Sequence, residues 1–211
     1  IGVDGIMVSN WGTWWLARQT THLPLYGNFS LNITNSLAAN LAAGMGITQA
    51  AVSLELSAEL LSALQQNTQL PTEVMVHGVL TGMLLELCLP SVLQQGAGSR
   101  DVCRDTCHRP GLVLADECGQ LYPVEVDQYC RTQVLLPYEL CLLSSLPWLV
   151  KLQPASLRIE AQNYEPAAVA SVVTLYRKYL ELAVRQPHNF AVAESDWEIL
   201  REILIDTNPV S

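Results

Sequence analysis

The sequence predicts an α/β fold of parallel strand–helix crossover units, arranged as an open sheet or a barrel. Short apolar runs recur roughly every 22 to 25 residues with helical patterns between them, which is the signature of such units. Such short apolar runs suit strands covered on both faces. At 211 residues and 50% hydrophobic composition, the chain can also build a large core.

The first run, Asp4 to Ser9, ends in Asn10, and a helix over 12–19 follows it. Leu23 to Leu31 reads as the second strand, with Pro24 near its start, where a proline is tolerated. Asn35 or Ser36 caps a helix over Leu37 to Ala43, which Gly44 and Gly46 stop. Ile47 to Leu54 and a helix over Ser57 to Gln66 form the third unit, and Val74 to Gly78 is the fourth strand.

Farther on, Leu112 to Ala115 and Leu121 to Val124 flank the turn 116–119 as a β-hairpin. Tyr138 to Leu149 reads as an apolar helix and Ser156 to Ala161 as a further strand. A helix over Pro166 to Arg185 keeps a core-facing stripe of period 3.6, and Trp197 to Ile205 is the last helix. This divides the chain into crossover units over 1–80, a cysteine-rich insertion over 81–141, and a last strand with helices over 142–211.

Parallel crossover folds carry their chemistry at the carboxyl ends of the strands. That rule places Ser9, Asn10, Asn32, Asn35, Ser53, Glu55 and His77 near one rim. Each also has a structural reading, as a turn, a cap or a hydrogen-bonded strand end. No Ser–His–Asp order, phosphate-binding glycine loop or HExxH helix is present.

All six cysteines fall between Glu73 and Cys141. Cys88, Cys103, Cys107 and Cys130 stand at irregular, loop-like spacings that suit a structural zinc or an iron–sulfur cluster, with Cys118 and Cys141 as extras. Reduced core cysteines without a common partner are the plain alternative, and a disulfide framework fits a chain of this size least.

The formal net charge of -9 argues against broad nucleic-acid binding, although Arg100, Arg104, Arg109 and Arg131 lie beside the cysteines. No apolar run reaches the roughly 18 residues of a membrane span. The opening IGVDGIMVSN has no basic n-region or cleavage site and reads as the middle of a fold, so the 211 residues are expected to be a piece of a longer protein, and a cytoplasmic location is expected.

The order GVDGIMVSNWG, LPLYGNFSLNITN, AAVSLELS, EVMVHGVL, TGMLLELC, DECGQLYPVEVDQYCRT, LRIEAQNY and VVTLYRKYLE resembles peptidase family U32, the collagenase-like proteases, from Gly2 to about Glu181. The resemblance implies the second half of a TIM-like (β/α) barrel. It also implies a 4Fe-4S cluster and a part in hydroxylating RNA bases or a quinone precursor, with RNA or a small molecule as substrate and a partner subunit. Cys88, Cys103 and Cys107 match three cluster ligands, and the fourth is Cys130 or, as in another branch, Cys141. Thr81 stands where many members have a further cysteine, and LRIEAQNY keeps Arg158 and Glu160 where many members have Lys-Ile-Glu-Gly-Arg. His77, Glu55, Arg158 and Glu160 are then the expected catalytic groups, and Asn10, Asn32, Asn35 and Ser53 the substrate-binding ones. The family's historical label makes a collagenase-like peptidase the rival reading. A non-catalytic accessory protein stapled by zinc is the third.

Overall fold

The computed structural model describes residues 2–95 and 112–207. Cys103 and Cys107 therefore lie outside the described residues. The chain divides into two compact units, one of Ile1–Val76, Leu142–Glu160 and Tyr176–Ala191, the other of His77–Cys141, Ala161–Leu175 and Val192–Ser211.

In the first unit, strands β1 (Ile6–Val8), β2 (Leu25–Gly27), β3 (Ile47–Ala51) and the start of β4 (Thr72–Leu85) pair in parallel, each with the next, and β8 (Ser156–Glu160) pairs with β4. From β1 to β4, neighbours in space are thus neighbours in chain order. A doubly wound sheet would reverse its order at a switch point, so this arrangement is compatible with a segment of a barrel. The mixed α/β class follows directly.

Helices α1 (Trp11–Thr20), α2 (Ser36–Gly44) and α3 (Ala58–Asn67) connect the parallel strands. Asn10, Asn35 and Ser57 each accept a backbone N–H of the first helical turn and so fix where these helices begin. Val8, Leu25, Ala50 and Val74 alternate onto one face of the sheet and are buried. The register puts Met7, Tyr26 and Gln49 side by side on the opposite face, and Ala51 beside Glu73. Helix α5 (Leu146–Leu152) buries Leu146 and Leu149, and the Tyr176 hydroxyl donates to the Val76 carbonyl at 2.7 Å.

The second strand is shorter than its apolar run suggests. After Gly27 the chain turns into a 3-10 helix over Phe29–Leu31, because the Asn28 side chain accepts the Phe29 N–H and Asn32 closes the turn in the left-handed region at φ 55°.

In the second unit, β4 continues to Leu85 instead of ending at Gly78 and pairs antiparallel with β7 (Thr132–Cys141). β6 (Leu121–Val126) pairs antiparallel with β7, and β5 (Val113–Ala115) with β6, so the hairpin read from the sequence is present. The helix expected over Tyr138 to Leu149 is a correction: Tyr138 to Cys141 belong to β7, and the helix starts only at Leu146 with Pro147 in its first turn.

Two bulges explain how so irregular a pairing persists. Between Val79 and Thr81 the partner strand runs from Glu139 to Leu135, which loops Pro137 out of the ladder that it cannot donate to. Near Gly82 the ladder slips again, and a Cβ there would meet Leu136 Cδ2 at 2.7 Å, so a larger residue would have to displace the end of that leucine side chain. The second unit also holds the short helix α4 (Leu89–Gln95), the start of α6 (Pro166–Arg185) and α7 (Glu194–Thr207).

Candidate functional site

Arg158 is the centre of the first unit's polar face. It stands mid-way along β8, and its Nη1 donates to Asn28 Oδ1 at 2.8 Å and lies 3.7 Å from Glu73 Oε1. Its Nη2 pairs with Glu160 Oε2 at 2.6 Å. Below the guanidinium lies the Phe29 ring, 5.8 Å away at its centroid, and the Met7 sulfur stands 3.9 Å from Nη1. All three charged side chains are about four-fifths buried.

A second layer holds the first in place. Ser156 Oγ donates to Glu73 Oε2 at 2.9 Å and accepts from Gln49 Nε2 at 2.6 Å. At the carboxyl ends of the strands, Asn28 Nδ2 donates to Ser9 Oγ, and Ser30 donates to the Ser9 carbonyl. Side chains from β1, β3, β4, β8 and the turn after β2 thus meet around one guanidinium. One cation faces two carboxylates, so the group carries a net negative charge and favours ligand groups that donate hydrogen bonds.

The structure brings Arg158 and Glu160 together but spreads the other expected residues. Asn10 and Asn35 spend their side-chain oxygens on helix N–H groups, from Thr13 at 2.8 Å and Ala38 at 2.9 Å. Asn32 is exposed in its left-handed turn, Ser53 is buried beneath the loop after β3, and Glu55 is exposed beyond it. Asn28, Glu73, Gln49 and Ser156 were not among the sequence candidates. Gly27-Asn28 is a turn signal that the long-strand reading of Leu23 to Leu31 concealed.

His77 opens the second unit. It is fully buried, and burial pushes its pKa down to about 4. In the β4–β7 ladder it stands directly opposite Cys141, with Val79 opposite Glu139. The Tyr164 ring meets the His77 ring edge-on at 5.9 Å, and its hydroxyl donates to Glu139. Burial, then that hydrogen bond, holds the phenol well above its ordinary pKa.

The far end of the same ladder carries the other described cysteines. Thr132, paired with Leu85, donates from Oγ1 to the Leu87 carbonyl at 2.5 Å and accepts the Leu89 N–H at 3.0 Å. Cys88 is pinned between those two contacts, and Cys130 lies two residues before Thr132 in the β6–β7 turn. Cys130 is exposed and in the left-handed region at φ 58°. In that turn Asp127 accepts the Tyr129 and Arg131 N–H groups on Oδ1 and pairs with the Arg131 guanidinium at 2.6 Å, which holds its carboxyl below the usual range. Cys118 is exposed in the β5–β6 turn. Among the described residues, no three His, Cys, Asp or Glu side chains converge in a metal-binding group.

No helix among the described residues is long and apolar enough to cross a membrane. A search of curated proteins and a search of solved structures give no match to the chain. A family model described as peptidase family U32 matches residues 1–205.

Proposed function

The chain belongs to peptidase family U32, and from that premise we propose that it is a 4Fe-4S-dependent enzyme or enzyme component that hydroxylates RNA bases or a quinone precursor. The observation that supports this reading is that Cys88 and Cys130 both adjoin the same end of the β4–β7 ladder, where Thr132 contacts both chain neighbours of Cys88. Two thiols offered by a strand end and a tight turn fit a thiolate-held cluster, to which Cys103 and Cys107 would add the remaining ligands.

The ladder also favours one fourth ligand over the other. Cys141 ends β7 nine residues after its start at Thr132, which at a rise of about 3.3 Å per residue is on the order of 30 Å along the strand from the Cys130 turn. Cys130 therefore shares an end with Cys88, and Cys141 does not. A cluster of this kind supplies one-electron transfer.

The remaining work falls to the polar face around Arg158. In this reading the sequential strands β1 to β4 and β8 are the second half of a barrel, and Arg158, Glu160 and Asn28 line its mouth. Glu160 and Glu73 accept hydrogen bonds from a ring substrate, Phe29 and Met7 give it an apolar wall, and the Gln49–Ser156–Glu73 chain keeps the guanidinium in register. Such a face suits the edge of a base or quinone-type ring better than a phosphate, which the two carboxylates would repel.

The peptidase reading has one observation on its side. Directly opposed residues of an antiparallel pair have Cβ atoms about 5 Å apart, so the Cys141 thiol and the His77 imidazole share one face of the ladder. Against it stands the burial of His77, which favours the neutral ring and disfavours the imidazolium that a thiolate–imidazolium pair needs.

Mass spectrometry of nucleosides and quinones from cells lacking the gene tests the two readings together. Loss of one oxygen-bearing nucleoside or quinone, restored by the wild type but not by Arg158→Ala or Cys88→Ala, is the expected result. Unchanged nucleosides and quinones, with denatured-collagen cleavage that depends on Cys141, would favour the peptidase.

A further inference from the structure

Met7 brings a thioether to the polar face around Arg158 and holds it open to solvent. It stands in the middle of β1, 48% exposed, and Arg158 Nη1 donates toward its sulfur at 3.9 Å. Among the other methionines, Met75 is buried and Met83 is exposed on the antiparallel part of β4.

Each terminal guanidinium nitrogen carries two hydrogens. At Nη1 one goes to Asn28 Oδ1 at 2.8 Å. Among the described residues the other has only long contacts, with Glu73 Oε1 at 3.7 Å and with the Met7 sulfur. A thioether is a weak acceptor, whereas a sulfoxide oxygen is a strong one. An S–O bond of about 1.5 Å, bent at the oxygen in the usual way, would place that oxygen about 2.8 Å from Nη1, the length of a charge-assisted hydrogen bond.

We propose that Met7 is a reversible oxidation site, whose sulfoxide oxygen takes the second Nη1 hydrogen and pins the Arg158 guanidinium to β1. The oxidant is a hydroperoxide. A sulfur lone pair attacks one peroxide oxygen, the O–O bond breaks, and the departing oxygen takes a proton and leaves as water or an alcohol. Sulfur is oxidised and the peroxide reduced. A thiol-dependent reductase reverses the step, releasing the oxygen as water while two thiols join as a disulfide. Because Met7 lies on a half-exposed polar face, the added oxygen disrupts no core, as oxidation of the buried Met75 would. The inference holds whichever chemistry the face performs.

One of the two sulfur lone pairs faces Nη1, so one sulfoxide epimer alone makes the bond. Nη1 also donates to a peroxide arriving on that side, so the same epimer forms faster. The folded chain is therefore treated with dilute hydrogen peroxide and digested, and the Met7 peptide is reduced by enzymes specific for each epimer. Met7 should be oxidised with one epimer in roughly fivefold excess or more, as one net hydrogen bond implies, and the melting temperature should be unchanged. Chain oxidised in urea should give the two epimers equally, and so should the folded triple variant Arg158→Leu, Glu73→Gln and Glu160→Gln. Nuclear magnetic resonance of the wild type with isotope-labelled arginine, which needs no variant, should show the Arg158 side-chain signal shifted after oxidation. Met7 left unoxidised while Met83 reacts, equal epimers in the folded wild type, an excess that persists in the triple variant, or an unmoved Arg158 signal overturns the proposal.

Discussion

Cys130 occupies, in the β6–β7 turn, the place that Gly119 occupies in the β5–β6 turn. Each stands three residues after an aspartate, Asp127 or Asp116, whose Oδ1 accepts the N–H groups two and four residues on. Each donates its own N–H to that aspartate's carbonyl at 3.0 Å, and each has a positive φ, 58° for Cys130 and 80° for Gly119. A glycine takes this conformation without cost, whereas a side chain there costs about 1 kcal/mol.

The comparison predicts how the turn responds to substitution. Cys130→Gly should keep the fold and raise the stability of the metal-free chain by about 1 kcal/mol, a gain of roughly 2 to 4 °C in melting temperature. Cys130→Val, branched at Cβ, should lower it. Thermal unfolding of the apo chain by circular dichroism reads both.

Asp127 supports the same turn through its charge. The hydrogen bond from Arg131 holds its carboxyl below the usual range, so its contribution is complete above the ordinary aspartate pKa of about 4 and fades as pH falls through the lower folded value. Amide exchange at Tyr129 and Arg131 should therefore be slow and pH-insensitive, apart from intrinsic rates, at neutral pH and should speed up on acidification. Asp127→Asn should abolish that acid dependence.

His77 gives a second pH dependence with the same sign. Its folded pKa of about 4 lies below the unfolded value of about 6.5, so the unfolded chain binds the proton first. Stability present above pH 6.5 should be lost as pH falls toward 4, by on the order of 3 kcal/mol in all. Urea midpoints measured across that window should show the loss, and His77→Asn, lower in stability at pH 7, should flatten the profile.

Removing Arg158 should leave Glu73 and Glu160 facing each other without their cation. Arg158→Leu is expected to cost about 3 kcal/mol, and the triple substitution with Glu73→Gln and Glu160→Gln to recover a large part of it. Denaturant unfolding of the single and triple variants reads the difference. Equal stability of the single variant and the wild type would mean that the pair is screened and carries little.

Much of this was legible in the chain. The strand–helix periodicity located β1, β3 and the helices after them, because short apolar runs recur between helical patterns. Asn35 declared the start of α2, and the turn around Asp116 declared the hairpin. What escaped had no local signal. Tyr138 to Cys141 look helical in isolation and become strand only through pairing with β4, more than fifty residues earlier in the chain. Arg158 and Glu160 were visible from the family pattern, but Glu73, Gln49 and Asn28 join them only through the sheet's register. The His77–Cys141 juxtaposition likewise belongs to the ladder and to no motif.

The central claim is that Cys88 and Cys130 are two ligands of one cluster, and metal content tests it most directly. Iron and acid-labile sulfide should be measured per chain in anaerobically prepared wild type, Cys88→Ala, Cys130→Gly and Cys141→Ala. The account predicts about four of each in the wild type, retention in Cys141→Ala, and loss in Cys88→Ala and in Cys130→Gly, whose fold the glycine preserves. Iron absent from every preparation, or retained in Cys130→Gly and lost in Cys141→Ala, would contradict it.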